Sequence, residues 1–355
     1  MKRGNKDGIL VIRLSAMGDV ALTVPVLIAL SRTYPELRIG FLTKDHFTPI
    51  LEGIPNVKTY PFYANGNHRG IIGLRKLYNE LKREPFTCIA DLHAVLRTRI
   101  LRLFFTGSGK PFCILDKGRK EKRELTSWKN KTFHPLKHTT IRYAEVFEDL
   151  GYPVQLSEND ILPRKQWPNH FQKESDIGTE FRIGVAPFAA HQGKCYPEEE
   201  MKQVLAKLGK HPDVRVYLLG GGKKEVDLLD LWEALYPNCI SVAGKMSLSE
   251  ELALISNLDL MVSMDSGNGH LAAIYGVEVI TIWGVTHPYA GFSPFNQSEH
   301  NSITADRGAY PLVPTSVYGN RVPEGYTEVM KTISPEQVYN RILEVLEGSS
   351  IKKNS

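Results

Sequence analysis

The chain alternates short apolar runs with longer stretches in which apolar residues recur at the helical period. The apolar runs are of strand length and occupy residues 9–12, 38–42, 57–62, 86–90, 182–187, 214–219, 240–244, 258–263 and 279–283. Most of them lack the alternation of a half-exposed strand, as expected for parallel strands buried on both faces. Alternating strands and helices predict an α/β fold built from doubly wound parallel sheets.

Two of the predicted strands in the first half end in polar turns. One turn carries Ser15, Gly18 and Asp19, and the other carries Asp91 and His93. The carboxyl ends of parallel strands lie on one edge of a sheet, where open α/β folds bind their ligands. A substrate site built from these five residues is one interpretation. In the other, Asp19 only caps a helix, and Asp91 with His93 only holds a loop.

The most distinctive turn in the chain spans residues 264–270. An apolar run precedes it and a helix that stops at Gly276 follows it, so Ser266 and Gly267 lie at the start of a helix. Backbone amides at the positive end of a helix favour a bound anion. The pattern therefore predicts a phosphate site, without showing which phosphate binds.

Other turns in the second half carry residues suited to a nucleotide. Lys194 follows a predicted strand and is placed to neutralise a diphosphate, although most single lysines simply lie on the surface. Glu225 comes shortly after three glycines at 220–222, where a ligand can approach the backbone and a carboxylate can accept hydrogen bonds from a ribose diol. Met246 lies in a turn whose backbone groups are suited to a purine edge.

Length and composition indicate more than one domain. A chain of 355 residues is too long for one ordinary core, and its 42% hydrophobic content is enough for two. Residues 152–179 are rich in proline and polar side chains and form the best candidate for a linker. We therefore predict an amino-terminal domain at 1–165, a carboxy-terminal domain at 166–332 and a final helix at 333–355.

The formal charge of +5 is concentrated in one segment, residues 117–137. This segment contains four closely spaced basic residues: Arg119, Lys120, Lys122 and Arg123. A solvated charged face is one interpretation, and a surface for an anionic acceptor or for lipid headgroups is the other. No nucleic-acid-binding module accompanies these residues, so we predict no nucleic-acid partner.

Several chemistries receive no support from the sequence. Residues 104–111 imitate a phosphate loop but lack its first glycine and its magnesium-binding hydroxyl. There is no Asp-x-Asp, His-x-His or His-Glu-x-x-His motif, so we predict no metal site. The four cysteines are widely spaced, as in a reduced cytosolic protein. With no signal peptide or membrane span in view, we expect any membrane contact to be peripheral.

The motifs at residues 13–19, at 265–273 and at 283–286 together resemble a known family. In order and spacing they are similar to the heptosyltransferases of lipopolysaccharide core assembly, glycosyltransferase family 9. The resemblance implies a GT-B fold, with two Rossmann-like domains facing across a cleft. It places the acceptor in the amino-terminal half and ADP-heptose in the carboxy-terminal half. The final helix would pack back on the first domain.

The resemblance also implies roles for individual residues. Asp19 matches the general base that takes a proton from the acceptor hydroxyl in a single inverting displacement. Lys194 matches the lysine at the donor phosphates, and Ser266 and Gly267 match the motif that holds them. Looser matches place Glu225 near ribose and Met246 near adenine, while Asp265 and His270 border the donor. The acceptor would contact Ser15, Gly18, Asp91, His93, Arg119, Lys120, Lys122 and Arg123.

On this interpretation the protein is an enzyme that needs no cofactor besides its ADP-sugar donor. Its acceptor is an anionic lipid-linked oligosaccharide, and it works in the cytoplasm at the inner face of the inner membrane. Two other classes remain open. Another doubly wound nucleotide enzyme, such as a dehydrogenase or epimerase, is disfavoured because the first turn lacks Gly-x-Gly-x-x-Gly. A non-catalytic binder of nucleotide or anionic lipid would use the same folds.

Overall fold

A computed structural model describes residues 8–168 and 181–353, and the chain divides into two α/β units. The first unit comprises Met1–Lys117 with Thr139–Leu162, and the second comprises Gly118–His138 with Pro163–Ser355. Residues 169–179 of the predicted linker lie outside the described residues. No helix in the described ranges is both long enough and apolar enough to cross a membrane.

Eleven strands are present in the described ranges. In chain order they are β1 (Gly8–Ile12), β2 (Arg38–Lys44), β3 (Val57–Phe62), β4 (Cys88–Asp91), β5 (Phe112–Ile114), β6 (Phe181–Ala186), β7 (Val214–Leu218), β8 (Cys239–Ser241), β9 (Leu260–Met264), β10 (Glu278–Trp283) and β11 (Ser302–Thr304). Every residue of β1 and of β9 is buried, as predicted for apolar runs at the centre of a parallel sheet.

The helices lie between these strands. In chain order they are α1 (Met17–Ala21), α2 (Val24–Thr33), α3 (Gly70–Leu81), α4 (Leu96–Thr106), α5 (Arg119–Leu125), α6 (Thr139–Asp149), α7 (Glu198–Leu208), α8 (Lys223–Leu235), α9 (Leu248–Ile255), α10 (Gly267–Ala273) and α11 (Pro335–Lys353). Short 3-10 helices occur at Asp45–Leu51, Gln192–Lys194, Pro288–Ala290, Glu299–Asn301 and Val329–Thr332.

Each unit is organised around one parallel sheet. The first sheet has the order β3-β2-β1-β4-β5, and the second has the order β11-β10-β9-β6-β7-β8. All nine strand pairings are parallel. In both sheets the first strand of the unit lies at the centre, and the chain builds outward to one side before it crosses to the other. This is the strand order of a Rossmann-like sheet, and it confirms the predicted fold class.

The basic segment at 118–138 belongs to the second unit, which differs from the predicted division at residue 165. Leu125 and Leu136 are buried against Ala290 in a small apolar cluster. The backbone N–H of Leu136 also donates to the carbonyl of Tyr289, at 2.9 Å. Apolar anchors at the end of α5 and near the end of the segment thus attach it to the second unit.

A half-buried lysine adds to this attachment. The Lys131 ammonium donates to the carbonyls of Leu125 and Pro314, at 2.7 Å each. Burial, together with the positive charge of Arg307, lowers the pKa of Lys131 to about 8. Lys131 therefore links the end of α5 to the loop that contains Pro314. One of the residues of the predicted basic surface thus has a structural role.

The final helix, α11, packs against its own unit. Val338, Ile342 and Leu346 are buried in the core of the second unit, at the helical spacing of one apolar face. This face contacts α7 and the strands β9 and β10. The resemblance implied packing on the first domain instead, but the apolar stripe of α11 is buried in the core of the second.

A buried carboxylate links two distant segments of the first unit. Asp160 is 1% exposed and accepts hydrogen bonds from the Arg32 guanidinium of α2, at 3.0 Å, and from the Ser157 backbone N–H, at 2.7 Å. The pair links the segment that follows α6 to α2, which lies far from it in sequence.

We expect Asp160→Ala to destabilise the protein by about 1 to 2 kcal/mol, because the substitution removes the buried carboxylate that accepts hydrogen bonds from the half-exposed Arg32 and from the Ser157 backbone N–H. Urea unfolding measures this loss. Asp149→Ala is the matched control, since Asp149 is exposed on α6 of the same unit and its removal should change stability by less than about 0.5 kcal/mol. Equal effects of the two substitutions would show that the Arg32–Asp160 pair contributes nothing.

Candidate functional site

The strand order of the first sheet reverses between β1 and β4, which lie side by side. Chains that leave these two strands turn toward opposite faces of the sheet and leave a crevice at its carboxyl edge. The loop after β1 carries Ser15 and leads into Gly18 and Asp19 on α1, while Asp91 ends β4 and His93 follows it. The structure therefore brings these predicted residues to one edge of the sheet.

Asp19 lies in the first turn of α1 and is held by a buried arginine. Its Oδ2 atom is 2.6 Å from Nη2 of Arg13 and accepts the Ala16 backbone N–H at 3.0 Å. Arg13 is 6% exposed and donates through Nη1 to the carbonyl of Leu92, at 2.6 Å. The guanidinium thus bridges the two loops of the crevice. The Tyr143 hydroxyl donates to the Asp19 carbonyl at 3.4 Å.

His93 is a neutral imidazole in this crevice. Burial, reinforced by the positive charges of Arg13 and Lys117, lowers its pKa to about 3, although Asp19 acts in the opposite direction. The Leu14 backbone N–H donates to Nδ1 of His93, at 3.3 Å. A neutral imidazole that accepts at Nδ1 carries its proton on Nε2. His93 is therefore a hydrogen-bond donor through Nε2.

Asp91 is 1% exposed and serves the loop itself. Its Oδ1 atom accepts the backbone N–H groups of His93 and Ala94, at 2.9 Å each. Ala94 has a φ of +49°, a conformation that a non-glycine residue adopts rarely. Of the two interpretations of Asp91, these contacts support the one in which it holds the loop. It thereby positions His93.

The second sheet repeats the arrangement at its own reversal, between β6 and β9. Lys194 ends a short 3-10 helix after β6, and Asp265 directly follows β9. The Lys194 ammonium lies 2.9 Å from Oδ2 of Asp265, with the two side chains 13% and 9% exposed. A lysine and a carboxylate thus form a largely shielded ion pair across the crevice.

Ser266 is the residue that precedes α10, and Gly267 opens the helix. The Ser266 hydroxyl oxygen is buried and has no hydrogen-bond partner within the described residues. The same holds for the hydroxyl of Thr286, after β10, to which the sequence assigned no role. These two hydroxyls follow the neighbouring strands β9 and β10, and Ser266 is adjacent in sequence to Asp265 of the ion pair. His270 is buried within α10.

Two glycines leave room for the backbone and side chains of this site. A Cβ atom at Gly319 would lie 2.3 Å from Cδ of Lys194, and one at Gly284 would lie 2.4 Å from the carbonyl oxygen of Gly193. Both positions require a residue without a side chain. Gly284 belongs to the motif at 283–286, whereas Gly319 lies in a loop far along the chain, so only the structure places it against Lys194.

Glu225 and Met246 occupy the next two strand ends of the second sheet. Oε2 of Glu225, on the first turn of α8, accepts the Gly221 backbone N–H at 2.8 Å. Met246 is partly buried in the turn between β8 and α9. Because β9, β6, β7 and β8 are consecutive in the sheet, all predicted donor residues lie at one edge of the second unit.

The four basic residues predicted to bind the acceptor all lie on α5, in the second unit. Arg119, Lys120 and Arg123 are exposed, and the Lys122 ammonium lies 4.2 Å from the ring centroid of Phe292. Arg123 lines an open cavity of about 590 Å³. The predicted acceptor residues are thus divided between the units, with Ser15, Gly18, Asp91 and His93 in the first.

Within the part of the chain that the structure describes, no three His, Cys, Asp or Glu side chains are grouped so that they could hold a metal ion.

Comparison with known proteins identifies relatives along most of the chain. Residues 74–317 match the model of glycosyltransferase family 9 (heptosyltransferase). The chain is 24% identical over 306 residues to the lipopolysaccharide core heptosyltransferase OpsX of Haemophilus influenzae. The aligned region covers 82% of each protein.

Two solved structures share the fold. The family 9 glycosyl transferase of Veillonella parvula has a TM-score of 0.76 at 20% identity and covers 98% of this chain and 99% of its own. The E. coli heptosyltransferase WaaC, solved with ADP-2-deoxy-2-fluoro heptose, has a TM-score of 0.65 at 18% identity. This match covers 95% of the present chain and 99% of the WaaC chain.

The depressed pKa of His93 predicts how stability depends on pH. Below its ordinary value near 6.5, the unfolded chain binds a proton that folded His93 does not, so stability falls as the pH falls. In His93→Asn the amide oxygen accepts the same Leu14 N–H and does not titrate. From about pH 7 to about pH 5, the unfolding free energy of the wild type should drop by about 1 kcal/mol relative to the variant, after allowance for partial solvent access. Urea unfolding at each pH checks this, and a constant difference would contradict it.

Proposed function

The chain belongs to glycosyltransferase family 9, the heptosyltransferases, and we propose that it transfers a heptose from ADP-heptose to an inner-core, lipid A-linked acceptor of lipopolysaccharide. It is an enzyme of the GT-B fold, with two Rossmann-like units. The observation that carries the proposal is the Lys194–Asp265 pair beside the unsatisfied Ser266 hydroxyl, in the motif that the family model covers. Membership of this family argues against the alternatives of a dehydrogenase, an epimerase or a non-catalytic binding protein.

On the donor side, the second unit offers the groups that an ADP-sugar requires. Lys194 supplies positive charge to the diphosphate, while the Ser266 hydroxyl and the amide of Gly267 supply hydrogen bonds. Glu225 would accept hydrogen bonds from ribose, and Met246 would pack against adenine. Such fixed donors stabilise the departing diphosphate without a metal ion. The solved complex of WaaC with an ADP-heptose analogue supports this choice of donor.

On the acceptor side, Asp19 acts as the general base. It takes the proton of the acceptor hydroxyl as that oxygen attacks the anomeric carbon, the bond to the diphosphate breaks, and the configuration inverts. Arg13 and the Ala16 amide fix the carboxylate in place, so the proton acceptor is oriented before the substrate arrives. Neutral His93 donates through Nε2 to an acceptor oxygen. Ser15 and Gly18 line the same loop.

The remaining assignments concern the lipid-linked character of the acceptor. The basic residues of α5, Arg119, Lys120, Lys122 and Arg123, are suited to acidic or phosphorylated groups of the acceptor. An acceptor anchored in a bilayer places the enzyme in the cytoplasm at the inner face of the inner membrane, in peripheral contact. The relative OpsX is named for the lipopolysaccharide core, which supports this class of acceptor.

The role of Asp19 predicts a separation of binding from catalysis. We expect Asp19→Asn to reduce the rate of heptose transfer by about a thousandfold, because an amide cannot accept the hydroxyl proton. ADP binding, measured by calorimetry, should remain unchanged. Asp149→Asn, an exposed position of the same unit, is the matched control and should retain full activity. Undiminished transfer by Asp19→Asn would remove Asp19 as the base.

Lys194 predicts a loss of nucleotide affinity. We expect Lys194→Ala to weaken ADP binding by about 10- to 100-fold, the range for a charge-assisted contact to phosphate. Lys202→Ala, on the surface of the same unit, is the control for removal of a lysine. A thermal-shift comparison of ADP, GDP, UDP and NAD completes the test: stabilisation by ADP is expected, and a preference for NAD would refute the proposed donor.

A further inference from the structure

Four large aliphatic side chains are exposed on two helices of the first unit. On α3 these are Ile71, 65% exposed, and Ile72, 88% exposed; on α4 they are Leu96, 72% exposed, and Leu103, 68% exposed. We name this set the α3–α4 patch. Single exposed aliphatic residues are common on protein surfaces, but a group on neighbouring helices marks an interaction surface.

The two helices of the patch pack directly against each other. The Tyr78 ring of α3 contacts Phe104 and Phe105 of α4, with ring centroids 5.8 and 4.8 Å apart. The Arg75 guanidinium lies 5.6 Å from the centroid of Phe104. Since α3 and α4 are neighbours, their exposed residues contribute to one surface of the unit.

The charges around the patch are almost all positive. Helix α4 contains three arginines and no acidic residue, and Leu96, Arg99 and Leu103 share one helical face. On α3, Ile72 shares a face with the exposed Arg75 and Lys76. The acidic residue of α3 is Glu80, which pairs with His68. Aliphatic side chains flanked by arginine and lysine match the two layers of a lipid surface, its acyl boundary and its anionic headgroups.

We propose that the α3–α4 patch docks the protein on an anionic phospholipid bilayer. The inference deepens the proposed function, because it assigns a surface to the peripheral membrane contact of an enzyme with a lipid-linked acceptor. The patch is well placed for this, since α3 and α4 both begin at the carboxyl edge of the first sheet, the edge that carries Asp19. Leu96 follows His93 by only three positions. A bilayer docked here presents its lipid headgroups beside the acceptor loop.

A second pair of exposed aliphatic side chains lies among residues of the opposite charge. Leu231 and Leu235 on α8 are 62% and 64% exposed, which is close to the exposure of the patch residues. Their helix also carries four acidic residues, Glu225, Asp227, Asp230 and Glu233, against two lysines at its start. The net charge of this helix is negative, which an anionic lipid surface repels, so the pair provides a control for aliphatic exposure without a net positive charge.

The test is sedimentation of the full chain with vesicles of phosphatidylcholine mixed with phosphatidylglycerol, and with vesicles of phosphatidylcholine alone. Wild type should bind the mixed vesicles, and added salt should weaken the binding. The double substitution Ile71→Ser with Ile72→Ser should reduce the partition coefficient at least tenfold. Arg97→Ala with Arg99→Ala should reduce it about tenfold on the mixed vesicles.

The control Leu231→Ser with Leu235→Ser should bind as wild type does. Leu96→Ser with Leu103→Ser provides a second test of the patch should the first variant fold poorly, as judged by circular dichroism. Full vesicle binding by the folded patch variants would overturn the proposal. So would loss of a dimer, seen by sedimentation velocity, as the only consequence of the substitutions, because the patch would then bind a second copy of the chain.

The proposed function can fail independently of this inference. Vesicle binding requires no substrate, so it reports on the patch even if heptose transfer is never observed. If both hold, the Ile71→Ser, Ile72→Ser variant should lose transfer to a vesicle-embedded acceptor at least fivefold, and should retain transfer to the same acceptor after deacylation. Loss of both activities would contradict a docking role for the patch.

Discussion

Parallel strands joined by right-handed crossovers leave a crevice wherever the order of the strands reverses, and this chain meets that constraint twice. In each unit the first strand lies at the centre of the sheet, so the loop that follows it faces the loop of a strand added later in the chain. The candidate residues of the first unit cluster around one reversal, and those of the second unit around the other. The chemistry of the protein depends on this topology.

Each crevice is bridged by an ion pair. We propose that the carboxylate acts on the substrate in one pair and the ammonium in the other. In the first unit Arg13 is buried and holds the carboxylate of Asp19, which we propose as the general base. In the second unit Asp265 holds the ammonium of Lys194, which we propose as the group that binds the donor phosphates. A charged partner fixes each group before substrate binds, and partial burial strengthens both interactions relative to water.

The basic residues of the two units also lie in different surroundings. The arginines of α4 surround exposed aliphatic residues in the first unit, whereas the basic residues of α5 belong to the second unit. Within the basic segment, Lys131 binds two backbone carbonyls and fastens the segment to its unit. A single net charge of +5 therefore conceals three uses of lysine and arginine: a structural one at Lys131, and a lipid surface and an acceptor site by proposal.

The sequence by itself determined nine of the eleven strands that the structure describes, together with the turns and the motif residues at the two reversals, because apolar runs, glycine turns and helix starts are local patterns. The edge strands β5 and β11 were not predicted, since three residues are too few to form a recognisable apolar run. Only the tertiary structure decided which unit the segment at 118–138 and α11 join, since apolar stripes do not specify the partner they pack against. The lowered pKa of His93 likewise depends on its burial and on the charges of Arg13 and Lys117, and the fit of Gly319 depends on Lys194. These contacts join distant parts of the chain, and they exist only once the sheets have formed.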